Sequence, residues 1–178
     1  MTPSWGEHAP DESTTRRDAR AETLEARLAR FALAVARRED LWRPIVKHDP
    51  RQRWHARLAD LGDVEIWLLG WTREQEVELH DHGGSAGAFA VAEGELHEHF
   101  TTRGALGPLR RAVCRTGGVR AFGPDRVHHV TNVARTPATS VHVYAPPLTA
   151  MRFYDLAPGN APQAVRTELV LQEEEVLR

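Results

Sequence analysis

Two histidines, His80 and His82, open the stretch HDHGGSAGAFAVAEG with one residue between them. In an extended backbone, residues i and i+2 point to the same side, so both imidazoles can face one point in space. That arrangement grips a metal ion, but two imidazoles leave a ligand set incomplete. The chain must supply a third group from elsewhere, and some fifty residues on it offers His128 or His129. With ten His and a single Cys, Cys114, metal chemistry points to imidazole rather than thiolate, and no intrachain disulfide can form.

The elements that must position these residues follow from the apolar pattern. From Arg53 onward, short apolar runs alternate with turn residues, the texture of an all-β sandwich or barrel. Strands are expected at 52–58, 64–71, 76–80, 86–92, 95–101, 110–115, 119–122, 127–132 and 139–145. Breaks fall at Gly83-Gly84, Glu93-Gly94, Gly117-Gly118 and Gly123-Pro124, among others. Upstream, Leu24, Leu28, Phe31, Ala32 and Val35 recur at helical spacing. They predict an amphipathic helix over 22–38 that covers one end of a sheet, closed by Trp42 and Pro44. Residues 1–20, polar and without hydrophobic period, read as a flexible tail. After Pro146-Pro147 the chain is expected to wrap the outside, and Thr167–Arg178 fits strand and helix equally.

At 178 residues there is room for one ordinary domain, here 21–178, with its barrel over about 52–155. A net charge of −2 gives no electrostatic reason to bind nucleic acid or an anionic membrane. No apolar run approaches the roughly 20 residues that span a bilayer. The N-terminus lacks the apolar region of a signal peptide, so a cytoplasmic protein is expected. No obligate protein partner is evident.

Written as spacing, His80-x-His82, four residues, Gly87, six residues, Gly94 resembles the first motif of the cupin family, with Gly87 where that motif has Glu. Gly118, Pro124, His128 and Asn132 resemble the second motif, shortened by one residue and lacking its second Gly. The interval to Asn132 favours His128 over His129, which alternation sends to the opposite face. Ser140-Val141-His142-Val143-Tyr144-Ala145-Pro146-Pro147 is in turn similar to a signature of the cysteine dioxygenases, bacterial-type thiol dioxygenases included. Those are cupin enzymes that hold Fe(II) with three His. The resemblance runs from about Arg53 to Asp155 and joins four separated motifs.

What it implies is a mainly β protein, a cupin-type β-barrel (jelly roll) with one or two N-terminal helices. His80, His82 and His128 would be the iron ligands, and Tyr144 the phenol beside bound thiol and dioxygen. His142 would hydrogen-bond Tyr144 and Ser140 would support His142; alternation independently puts 140, 142 and 144 on one face. An Arg on an early strand clamps the substrate carboxylate in that family. Matching Arg53-Trp54-His55-Ala56-Arg57-Leu58 to it gives Arg57, with Arg53 as the alternative. The Cys that crosslinks to Tyr in mammalian-type relatives corresponds to Gly87, so no thioether is expected, and Met151 stands at a second Cys position.

The expected reaction is Fe(II)-dependent oxidation of L-cysteine by O2 to cysteine sulfinic acid. Rival readings are a dioxygenase of another thiol acid such as 3-mercaptopropionate, a non-catalytic cupin that binds a metal or small ligand, and a zinc or manganese isomerase. A second HxH, His97-Glu98-His99, has no downstream partner set and reads as a solvated strand face.

Overall fold

The computed structural model describes residues 22–170, so the tail expected over 1–20 lies outside the described residues. The undecided segment 167–178 is described only to Val170 and is strand as far as Leu169. In chain order the elements are α1 (Leu24–Ala36), α2 (Glu39–Trp42), β1 (Trp54–Asp60), β2 (Glu65–Trp71), β3 (Glu76–Asp81) and β4 (Ala86–Glu93). They continue as β5 (Glu95–Thr102), β6 (Arg110–Arg115), β7 (Val119–Phe122), β8 (Arg126–Thr131), β9 (Ala138–Ala145), β10 (Ala150–Ala157) and β11 (Ala161–Leu169). The nine expected strands are present, with ends within two residues of expectation. After Pro147, where the chain was expected to wrap the outside, it forms β10 and β11, and β10 joins the second sheet by pairing with β3.

All pairs are antiparallel, in two sheets ordered β1-β2-β9-β4-β7 and β11-β10-β3-β8-β5-β6. The first sheet is buried on both faces, which is why β2 and β9 have no exposed position. Its outer face carries Ala86, Ala88, Ala90, Val141, Val143 and Ala145, and α1 lies on it through Leu28, Ala32 and Ala36. The helix therefore covers a sheet face rather than a sheet end. Small side chains on both partners allow this close approach, and a Leu in place of the fully buried Ala32 would overpack it by about 1–3 kcal/mol.

Local chemistry sets the ends of α1. Thr23 caps it by accepting the Ala26 amide at 3.2 Å, and the Trp42 indole N–H donates to the Ala36 carbonyl at 2.9 Å, satisfying one of the last free carbonyls. The inner face of the sheet presents Trp67, Leu69, Trp71, Phe89, Val91 and Tyr144 to the second sheet, and this interior encloses the site. No helix among the described residues is long and apolar enough to cross a membrane.

Candidate metal centre

His80 on β3 lies directly across from His128 on β8, because the register of that pair matches the two positions. His82 follows two residues after His80, and one donor atom from each of the three rings lies within 4.8 Å of the others. The Nε2 atoms of His82 and His128 are 3.4 Å apart. Exposure is 3% for His80 and 1% for the other two, so the donors meet in a dry pocket.

Burial is also the main reason that all three stay neutral. It pulls His80 down to about 4, with a small opposing pull from its bond to the Glu78 carbonyl. It carries His82 and His128 well below the ordinary histidine value, reinforced by the neighbouring imidazoles. Tautomers follow from the back of each ring: the Nδ1–H of His80 donates to the Glu78 carbonyl at 2.7 Å, and that of His128 to Glu98 Oε1 at 2.9 Å. Both therefore keep an Nε2 lone pair for the shared point. No carboxylate belongs to the cluster, so the donor set fits a first-row divalent metal bound on one face, with room for further ligands on the other.

The turn after His82 needs glycine. Gly83 has φ +65°, and a Cβ there would meet the Ala150 carbonyl at 2.6 Å, so the β10 entry packs against bare backbone. Gly87 is required for a different reason. A Cβ at this position would sit 2.6 Å from the Phe122 ring and 2.9 Å from that of Tyr144, leaving no volume for the Glu of the cupin motif. Phe122 stacks on His82 with centroids 4.8 Å apart, sealing that ligand from behind.

A cavity of about 700 Å³ opens onto His80 and His128, walled by Arg53, Trp67, His142 and Tyr144. Met151 and Phe153 of β10 and Leu169 of β11 also line it. Along β9, a hydrogen-bond chain runs from Trp71 Nε1 to Ser140 Oγ (2.9 Å), Ser140 to His142 Nε2 (2.9 Å) and His142 Nδ1 to Tyr144 Oη (3.1 Å). Trp71 can only donate, so Ser140 Oγ accepts from it and shares one proton with His142 Nε2 on its other side. His142, pulled down to about 3 mainly by burial, is neutral, with one ring nitrogen donating and the other accepting along the chain. Burial holds the Tyr144 phenol well above its ordinary value, so it keeps its proton.

A model of the cysteine dioxygenase type I family matches residues 28–157, well over half of the chain. The chain belongs to the cysteine dioxygenase type I family. It is 26% identical to cysteine dioxygenase type 1 of Danio rerio over 129 residues, 67% of this chain and 64% of that protein. It thus spans just under two thirds of that relative's length. Among solved structures it resembles TT1209 from Thermus thermophilus, with a TM-score of 0.50 and 19% identity over 58% of this chain and 92% of the other. A cupin superfamily protein from Desulfitobacterium hafniense superposes with a TM-score of 0.48 at 12% identity, over 60% and 89% of the two chains. The fold is the cupin-type β-barrel expected from the sequence.

In this cysteine dioxygenase family member the two early arginines are placed differently. Arg57 is buried beside Asp60, 3.3 Å from its carboxylate, and does not border the cavity. The β1 register shifts between Arg57 and Ala59, and Arg53 immediately precedes the strand, four residues before Arg57. Arg53 does border the cavity, stacked over Trp71 at 5.2 Å, and among the described residues no carboxylate pairs with it. Burial lowers its pKa, and the nearby Tyr144 opposes that.

Two acidic residues escaped the sequence reading. Asp81 lies between the paired His and faces away from them, fully buried, where it accepts from Arg152 (3.0 Å), the Gly83 amide (2.9 Å) and Tyr154 Oη (2.5 Å). Burial works against its ionisation, but these donors outweigh it and hold the carboxyl below its usual range. Glu98 backs His128, and the available signal was its parity, since Leu96, Glu98 and Phe100 share the buried face of β5. His97 and His99 do face outward, and His97 bonds Glu95 at 2.8 Å.

Proposed function

We propose that this chain is an Fe(II)-dependent thiol dioxygenase that converts L-cysteine and O2 to cysteine sulfinic acid in the cytoplasm. The observation that carries the reading is the cluster of three neutral imidazoles, with no carboxylate among them, beside a cavity that His80 and His128 border together with Arg53 and Tyr144. Membership of the cysteine dioxygenase type I family supports it. Fe(II), when bound by His80, His82 and His128, supplies a one-electron route between a thiolate and dioxygen, which react slowly by two-electron steps.

The remaining work falls to the protein. Three uncharged donors bring no negative charge, so a thiolate is the favoured added ligand. Arg53 offers a planar fork that can take the substrate carboxylate in two hydrogen bonds. Tyr144 keeps its proton on Oη beside the cavity, its ring held by His142 and the Ser140–Trp71 anchor behind. In the balance, the S–H proton is lost to the sulfinic group, two S–O bonds form from one O2, and sulfur gives up the four electrons that O2 takes. No external reductant is needed.

The test is incubation of the iron-loaded protein with L-cysteine under labelled O2 and mass spectrometry of the product. Cysteine sulfinic acid carrying two labelled oxygens is expected. Absence of oxygen uptake, or uptake that survives His82→Ala, would return the chain to a non-catalytic metal-binding cupin. A higher kcat/KM with 3-mercaptopropionate would move the substrate assignment, and zinc or manganese in anaerobically purified protein would overturn the iron assignment.

A further inference from the structure

The three imidazoles are not equivalent at their backs. His80 donates to a backbone carbonyl, His82 Nδ1 is buried with no hydrogen-bond partner among the described residues, and His128 alone meets a carboxylate. That carboxylate, Glu98, is 1% exposed, and burying such a charge costs several kcal/mol unless it is paired. Its pairing is built in. Arg120 Nε donates to Glu98 Oε2 at 3.2 Å, Arg126 lies 3.9 Å from Oε1, and both guanidinium groups lie over the Phe100 ring. Holding β5 in the sheet asks for none of this, since Leu96 and Phe100 on the same face do it with apolar side chains. The carboxylate Oε1 is spent on the Nδ1–H of one ligand.

We propose that Glu98 is a positioning residue that acts through His128, fixing its ring and tautomer and strengthening Nε2 as a donor, while Arg120 and Arg126 balance the added charge. Glu98 does from behind what the carboxylate of the cupin motif cannot do at Gly87, where no side chain fits. The charge balance matters: with the two arginines in place the pocket keeps its preference for an anionic added ligand. This rests on the metal-site reading above and not on which substrate is turned over.

The experiment is titration of the metal-free protein with Co(II) against a competing chelator, for wild type, Glu98→Gln and Arg120→Gln, with the Fe(III)/Fe(II) midpoint potential of each iron-loaded form. Glu98→Gln is near-isosteric, and a 10- to 100-fold loss of Co(II) affinity is expected, with a midpoint shifted to more positive values. Arg120→Gln alters a one-third exposed side chain and leaves the carboxylate in place, so it keeps the fold. Its midpoint should shift the opposite way, because the carboxylate is less neutralised. A purely structural Glu98 would change the melting temperature and leave both midpoints where they were, and that result overturns the inference. So does Co(II) affinity in Glu98→Gln equal to wild type. If wild type binds Co(II) but oxidises no thiol, the proposed function fails while this inference is still decided by the titration.

Discussion

At the scale of single residues, the site turns on which guanidinium and which missing side chain border the cavity. Arg53 is free to take a substrate carboxylate, whereas Arg57 sits against Asp60. A charged hydrogen-bonded contact is worth about 1.5–3 kcal/mol, so Arg53→Ala should lower kcat/KM for cysteine about 10- to 100-fold. Cysteamine, which lacks the carboxylate, should be turned over equally by both proteins. Arg57→Ala should lower stability in urea and leave the KM for cysteine in place; the reverse pattern would restore Arg57 as the clamp. Gly87 makes a sharper case, because the Cβ of Gly87→Ala must displace the Phe122 ring from 2.6 Å and the Tyr144 ring from 2.9 Å. Since Phe122 lies against His82 and Tyr144 faces the cavity, the displacement reaches a metal donor and the phenol together. A misplacement of about 1 Å can cost on the order of 100-fold, so steady-state kinetics should register a loss in kcat of tenfold or more.

At the scale of elements, β9 is where alternation does the most chemistry. Ser140, His142 and Tyr144 face the interior while Val141, Val143 and Ala145 hold α1 on the other side. Ser140→Ala leaves the buried Trp71 indole N–H and His142 Nε2 without their partner and releases the His142 tautomer. The expected cost is about 1–3 kcal/mol in urea unfolding and a fall in kcat with KM for cysteine held, since Arg53 is untouched. Unchanged kcat would remove the chain behind Tyr144 from the reaction. Most of the nine strands from β1 to β9 were legible through a buried face, which writes a period of two or a continuous apolar run, whereas the mostly exposed β6 and the short β7 were marked off by their flanking Gly and Pro. β11 writes neither, being an edge strand exposed along most of its length. β10 hides for another reason: Arg152 and Tyr154 look like surface residues in sequence, yet they close over the buried Asp81 carboxylate of β3. The His80 and His82 pair was readable from spacing and alternation, and the third histidine came with the family resemblance, but the choice between Arg53 and Arg57 was not readable. Arg53 immediately precedes β1 and shares the parity of Arg57, and depth along an extended segment leaves no mark in the pattern.

At the scale of the whole molecule, the dry cluster of imidazoles sets how stability responds to acid. His80 and His142 are held at about 4 and about 3, and His82 and His128 lie well below their ordinary value, in each case chiefly through burial. In the unfolded chain all four titrate near 6.5. Above that pH neither state carries the protons and the groups contribute nothing. Between 6.5 and the folded values the unfolded chain binds protons that the folded one refuses, so stability falls as pH falls, by up to about 1.4 kcal/mol per pH unit for each group. The metal-free protein should therefore unfold at progressively lower urea as the buffer goes from pH 7 to pH 5. Asp81 adds its own loss only further down, as its depressed carboxyl takes up a proton below about 4. His142→Gln removes one of the four groups without touching the ligands and should make the slope between pH 6.5 and 5 shallower by roughly a quarter. A saturating divalent metal adds stability at pH 7, because only the folded chain presents the trio, and that increment should shrink with acid as protons compete for the same nitrogens. A stability profile flat from pH 7 to pH 5 would mean that water reaches these rings, and the exclusion of water on which the three neutral donors depend would fail with it.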